Sequence, residues 1–183
     1  KIKIVKNGYR IASVGKPLDN NEIRIISHNK KKLPENHVGQ IEIRSNCLFL
    51  EYYNNPIATK KSFNGEWFIT GDLGFIHNEN LYITGRKKEL IIIAGENIYP
   101  QDIEEIINNE QFFIPGRNVA FGLRDQNLGT QKVMILAEIE NFGNEDIDLK
   151  TLKEKILKDL NIFIANIYLL PRMSLKKSTA GKI

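Results

Sequence analysis

The stretch TGRKKELIIIAGENIYPQDIEEII, residues 84–107, marks a change of architecture in this chain. Gly85-Arg86 follows the end of a strand pattern, and two lysines come next. "ELIIIA" reads as a buried strand, which Gly95 breaks. Pro100 then opens a helix, because proline has no N–H to lose at the first helical position and its φ is already helical. Acidic residues fill the first turns, where the helix dipole favours negative charge. Ile103, Ile106 and Ile107 share one face of that helix.

Upstream of residue 84 the dominant period is two. "EIRIIS" puts Ile23 and Ile25 on one face, "QIEIRS" does the same with Ile41 and Ile43, and "IKIVK" at residues 2–6 alternates likewise. Turn clusters separate them: Asn7-Gly8, Asp19-Asn20-Asn21, and the polar stretch from His28 to Gly39. "NNPIATKKSF" reads as a short helix capped by Asn55, with Pro56 at its first position. "WFITGD" and "LYITG" read as two strands around an Asn78-Glu79-Asn80 turn.

Downstream, "NVAFGLR" and "QKVMILAEIE" read as strands. "DLKTLKEKILKDL" is amphipathic, with Leu149, Leu152, Ile156 and Leu160 on one side. "FIANIYLL" is a closing strand before Pro171. The expected fold class is α+β: a β-rich unit, then a β-α-β-β-α-β unit.

Hydrophobic residues make up 42% of the 183, enough for a packed core. No apolar run approaches the roughly 18–20 residues of a membrane span. The chain begins at Lys1 with no signal-peptide pattern, which reads as a piece of something longer. The single cysteine, Cys47, excludes an internal disulfide and fits a reducing compartment, here expected to be the cytoplasm. His28, His37 and His77 have no cysteine or histidine at ligand spacing, so no metal site is expected. The net charge of +4 mildly favours anionic partners. The lysines, however, fall in short runs beside turns, as on a solvated surface. No basic stripe is interleaved with aromatics, so nucleic acid is not an expected partner.

Four segments carry chemistry beyond packing. Asp72 ends "WFITGD" on a tight turn, where Gly71 lets a ligand approach the backbone. A carboxylate there can accept two hydrogen bonds from a vicinal diol such as a ribose, or it can be an ordinary turn aspartate. Arg86 can pair with a phosphate or a ribose oxygen, or it can be a basic residue facing solvent. Gly95 is either a strand terminator or a place where a ligand chain passes the backbone. "VGQIEIRSNCLFLEYYNNPIATKKSF" is strand, loop and helix with aromatics suited to a core. The terminal "STAGKI" is not a Walker A loop, because no Ser or Thr follows Lys182 and position 176 is Lys176. By itself Lys182 reads as a surface lysine in a tail.

Order and spacing add what the segments lack singly. "VGKPL", "GQIEIRS…EYYNNPIATKKSF", "WFITGDLG", "GRKKELIIIAGENIYPQDIEEII" and "STAGKI" follow one another as do the motifs of the adenylate-forming superfamily. That superfamily contains acyl- and aryl-CoA synthetases, fatty acyl-AMP ligases, peptide-synthetase adenylation domains and luciferases. The resemblance runs from about Val14 to the last residue. "GENIYPQDIE" leans toward the fatty acyl-AMP ligases. Lys176 departs from the family's usual proline.

The resemblance implies a division of the chain. Residues 1–87 resemble the β-rich, distorted barrel-like end of a large AMP-binding domain, and residues 88–183 a small mobile C-terminal domain. It implies an enzyme that joins a carboxylic acid, from the lipid-type motifs a fatty acid, to AMP. The acyl group then passes to a pantetheine thiol of CoA or an acyl carrier protein. ATP is the implied nucleotide. Mg2+ would be held by residues in the missing N-terminal domain, so this stretch alone is expected to be inactive. Carried over by motif, Asp72 would hold the ribose and Arg86 the ribose or α-phosphate. Lys88 would be the hinge, Gly95 would lie in the strand facing pantetheine, and Lys182 would be the catalytic lysine. A non-catalytic homologue that binds nucleotide or a carrier, and a basic nucleic-acid-binding module, are the alternatives.

Overall fold

The computed structural model describes Ile2, residues 10–143, residues 147–179 and Ile183. The expected strand at residues 2–6 and the expected catalytic Lys182 therefore lie outside the described residues, apart from Ile2. The chain divides into two compact units, Lys1–Lys88 and Glu89–Ile183.

In the first unit, β1 (Ser13–Gly15), β2 (Asn21–Ile26), β3 (Gly39–Ser45), β5 (Trp67–His77) and β6 (Asn80–Arg86) form one antiparallel sheet. The strand order is β1-β6-β5-β3-β2, and the short β4 (Phe63–Asn64) also pairs with β5. Among the described residues this sheet is open, with β1 and β2 at its edges, so the barrel-like expectation is corrected to an open antiparallel sheet. Period-two patterning makes its core: Ile25 lies opposite Ile41 and Ile23 opposite Ile43, packed with Leu81 and Ile76. Helix α1 (Pro56–Ser62) starts as its sequence requires, with the Asn55 side chain accepting from the Ala58 N–H at 3.0 Å and Pro56 in the first turn. Glu42 is fully buried. Its carboxylate meets Arg24 Nη2 at 2.5 Å and Asn64 Nδ2 at 3.1 Å, while the Arg24 guanidinium lies 4.1 Å from the Trp67 ring centroid.

The second unit packs helices α2 (Pro100–Asn108) and α3 (Leu149–Leu160) with a three-stranded sheet of order β11-β10-β9. β9 (Phe113–Asp125) runs antiparallel to β10 (Thr130–Ile139), and β11 (Ile164–Leu170) runs parallel to it. Alternate β10 residues Val133, Ile135, Ala137 and Ile139 form a core with Ile103 and Ile107 of α2 and Leu152 and Ile156 of α3. α3 is capped by Asp148, whose Oδ1 accepts from the Lys150 and Thr151 N–H groups.

"ELIIIA" is not one buried strand. It gives β7 (Ile91–Ile93), which returns as β8 (Glu96–Ile98) around Ala94 and Gly95. Both turn residues have positive φ, 49° and 86°, the pattern of a two-residue hairpin whose twist matches its strands. Ile91 is 1% exposed, whereas its neighbour Ile92 is 50% exposed.

Candidate functional site

β5 does not end at Asp72 as the alternation suggests; it runs on to His77. The Thr70-Gly71-Asp72 stretch is an irregularity inside it. Gln40 pairs with Leu73 and Glu42 with Ile69, so three residues of β5 face the single residue Ile41 of β3. Such bulges bend a strand and re-aim its side chains, and they concentrate beside functional sites. Gly71 has φ 81°, a region where an L side chain is strained, so glycine is required for conformation. Thr70 restores part of the interrupted ladder: its hydroxyl donates to the Ile41 carbonyl at 2.9 Å and accepts from the Asp72 N–H at 3.0 Å.

The bulge places Asp72 directly across from Arg86, the last residue of β6. Arg86 Nε lies 3.2 Å from Asp72 Oδ1, with side-chain exposures of 53% and 28% respectively. The pair is thus open to solvent on a rigid sheet. Lys87 secures the corner from behind: its N–H donates to the Gly71 carbonyl at 2.9 Å and its Nζ to Gln40 Oε1 at 2.9 Å. Gln40, Thr70 and Lys87 were not marked by sequence. Only the pairing of β5 with β3 and β6 brings them together.

Lys88 and Gly95 are the other expected site residues among those described. Lys88 is the last residue of the first unit. Gly95 is at the tip of the β7–β8 hairpin in the second unit, and a Cβ there would stand in open space. That hairpin hangs from the start of β10. Gln131 Oε1 accepts from the Ile92 N–H at 2.6 Å, and Thr130 Oγ1 accepts from the Ala94 N–H at 2.9 Å and donates to the Ile92 carbonyl at 3.3 Å. Among the described residues, no group of three or more His, Cys, Asp and Glu could hold a metal ion, and no helix is long and apolar enough to cross a membrane.

No protein-family model matches the chain. A nonribosomal peptide synthetase of Ascocoryne sarcoides is 32% identical over 194 residues, covering 97% of this chain and 20% of that protein. A medium-chain fatty acid–acyl-carrier-protein ligase of Moorena producens is 27% identical, covering 94% of this chain and 31% of the ligase. Among solved structures, one from a study of fatty acyl-adenylate ligases of E. coli and L. pneumophila superposes with a TM-score of 0.82 at 31% identity, over 94% of this chain and 30% of that one. The chain therefore spans about a fifth to a third of the length of the proteins it matches. In sequence and in fold, nearly the whole chain is homologous to the adenylate-forming ligases.

Proposed function

We propose that these residues belong to an ATP-dependent acyl-activating enzyme that adenylates a carboxylic acid, in the favoured case a fatty acid, and passes the acyl group to a pantetheine thiol. The observation that carries the reading is the Asp72–Arg86 pair, held open to solvent beside a bulge of β5. A fixed carboxylate suits the two hydroxyls of a ribose, and a guanidinium beside it suits the adjoining phosphate.

In the first half-reaction a carboxylate oxygen of the acid bonds to the α-phosphorus of ATP, and the bond to the β-phosphate bridging oxygen breaks, releasing pyrophosphate. Negative charge grows on the α-phosphate and the leaving group. Lys182 is assigned to meet it, because an ammonium on a long stem stabilises such charge electrostatically. In the second, the thiol sulfur bonds to the acyl carbon, AMP leaves, and the thiol proton is released. Lys88 is assigned as the hinge about which residues 88–183 move as a small C-terminal domain relative to residues 1–87, and the Gly95 hairpin as the element facing pantetheine. CoA and an acyl carrier protein are both admissible acceptors. The described residues supply no ligand cluster for Mg2+, and no step is assigned to it here.

The test uses the full-length protein and carboxylate-dependent ATP–pyrophosphate exchange. Asp72→Ala should raise KM for ATP about a hundredfold, as expected for two charge-assisted hydrogen bonds of roughly 1.5 kcal/mol each. Lys182→Ala should abolish exchange and leave thioester formation from preformed acyl-AMP intact. Equal loss of both half-reactions in Lys182→Ala would overturn its assignment. The 183 residues alone should show no exchange.

A further inference from the structure

Glu138 is a carboxylate with 0% exposure near the end of β10, and nothing above uses it. Its β10 neighbours Ala137 and Ile139 belong to the core built with the helices. Glu138 accepts instead from two backbone groups of the chain that follows β11. The Met173 N–H meets Oε2 at 3.0 Å and the Leu175 N–H meets Oε1 at 2.6 Å. Both carboxylate oxygens are therefore committed to one short segment. Arg117 of β9 completes the grip, donating from Nη1 to the Leu175 carbonyl at 2.9 Å and lying 3.9 Å from Glu138 Oε1.

The gripped segment is bent into an unusual shape. Met173 has φ 67°, a left-handed conformation that is rare for a non-glycine residue and persists only where surroundings enforce it. Ser174 closes the turn, donating from its N–H and its hydroxyl to the Pro171 carbonyl at 3.3 and 2.7 Å. Leu175 is buried at 8% exposure, so the segment is seated as well as tethered. Burying a carboxylate is costly unless it is paired and hydrogen-bonded. Here the hydrogen bonds make a backbone clamp seven residues before Lys182.

We propose that Glu138, with Arg117, is a positioning residue that pre-orders residues 173–175 ahead of Lys182 and so serves adenylation but not thioester formation. The inference rests on the assignment of Lys182 given above. Its magnitude follows from chain ordering. Shortening the stretch of chain between an anchored residue and the lysine changes its reach only about twofold, because loop terms vary slowly with length. Fixing the backbone of a residue beforehand is worth roughly five- to thirtyfold, so a clamp on residues 173–175 should be worth about tenfold or more.

The experiment compares wild type, Glu138→Gln, Glu138→Ala and Lys182→Ala in the full-length protein. Three quantities are read: exchange kinetics, thioester formation from preformed acyl-AMP, and amide hydrogen exchange in residues 172–175. Glu138→Ala should lower kcat for exchange about tenfold or more, with KM for ATP within about twofold and thioester formation within about twofold. Amides 173 and 175 should lose protection in step. Glu138→Gln retains one acceptor oxygen, so it should fall between, and it keeps the test usable if the alanine variant fails to fold. Equal losses in both half-reactions would overturn the proposal, as would unchanged exchange despite lost amide protection. Wild-type exchange insensitive to Lys182→Ala would instead overturn the assignment of Lys182. In that event the amide data would still decide whether Glu138 clamps the segment.

Discussion

The β7–β8 hairpin should be separable from the unit that carries it. Its five-residue arc from Glu96 back to Ile92 is held to β10 by Gln131 and Thr130. Gln131→Ala with Thr130→Val removes three hydrogen bonds of 2.6, 2.9 and 3.3 Å while keeping the volume at position 130. Each is worth about 1 kcal/mol net and the longest rather less, so the sum is about 2 kcal/mol. That corresponds to about a thirtyfold increase in local opening. Ile91 stays packed in the core, so the rest of the unit should hold. Hydrogen exchange followed residue by residue checks this. Ile92 and Ala94 amides should exchange about thirtyfold faster, while Val133 and Ile135 keep their protection. No change at Ile92 and Ala94, or an equal rise throughout the unit, would refute the reasoning. On the function proposed above, the same variant in the full-length protein should slow thioester formation and spare ATP–pyrophosphate exchange.

Two further predictions concern buried charge. Arg24→Ala leaves the fully buried Glu42 carboxylate with Asn64 as its remaining side-chain partner, and should cost about 3–5 kcal/mol, read as a lower denaturant midpoint. Glu104 is pushed above the usual carboxylate range, first by burial and then by nearby Glu89, against the opposing hydrogen bond from the Ala120 N–H. Its folded pKa exceeds its unfolded one, so the native state binds the proton more tightly and stability falls as pH rises from the ordinary range through the raised value. Glu104→Gln keeps an oxygen for Ala120 and carries no charge. It should therefore raise the unfolding midpoint at pH 7, and the difference from wild type should shrink below the ordinary carboxylate range.

Much of this architecture was legible because local signals were strong. Asn55-Pro56 and Pro100 sit at the starts of α1 and α2, where the missing proline N–H costs nothing, and the apolar faces of α2 and α3 are the buried ones. Asp72 and Arg86 stood out as residues, and the structure makes them partners. What pattern could not show was long-range pairing. The hairpin was missed because its turn places an alanine at φ 49°, without the Asn-Gly or Asp-Gly signal. β5 was cut short because Gly71 looks like a strand end, although the chain bulges there and resumes. Glu138 was passed over inside "QKVMILAEIE", which reads only as a strand. Its partners lie 35 and 37 residues away, beyond the reach of any local pattern.

β10 works as a ruler. Thr130 at its first position grips the hairpin and Glu138, eight steps on, grips the tail. At about 3.3 Å per residue the two grips stand roughly 26 Å apart, a spacing set by backbone geometry rather than by side-chain choice. Deleting one residue between them would shorten the interval by about 3 Å and also turn the Glu138 carboxylate onto the helix-facing side of the sheet. A change in the strand's length would break the tail clamp without touching either grip residue.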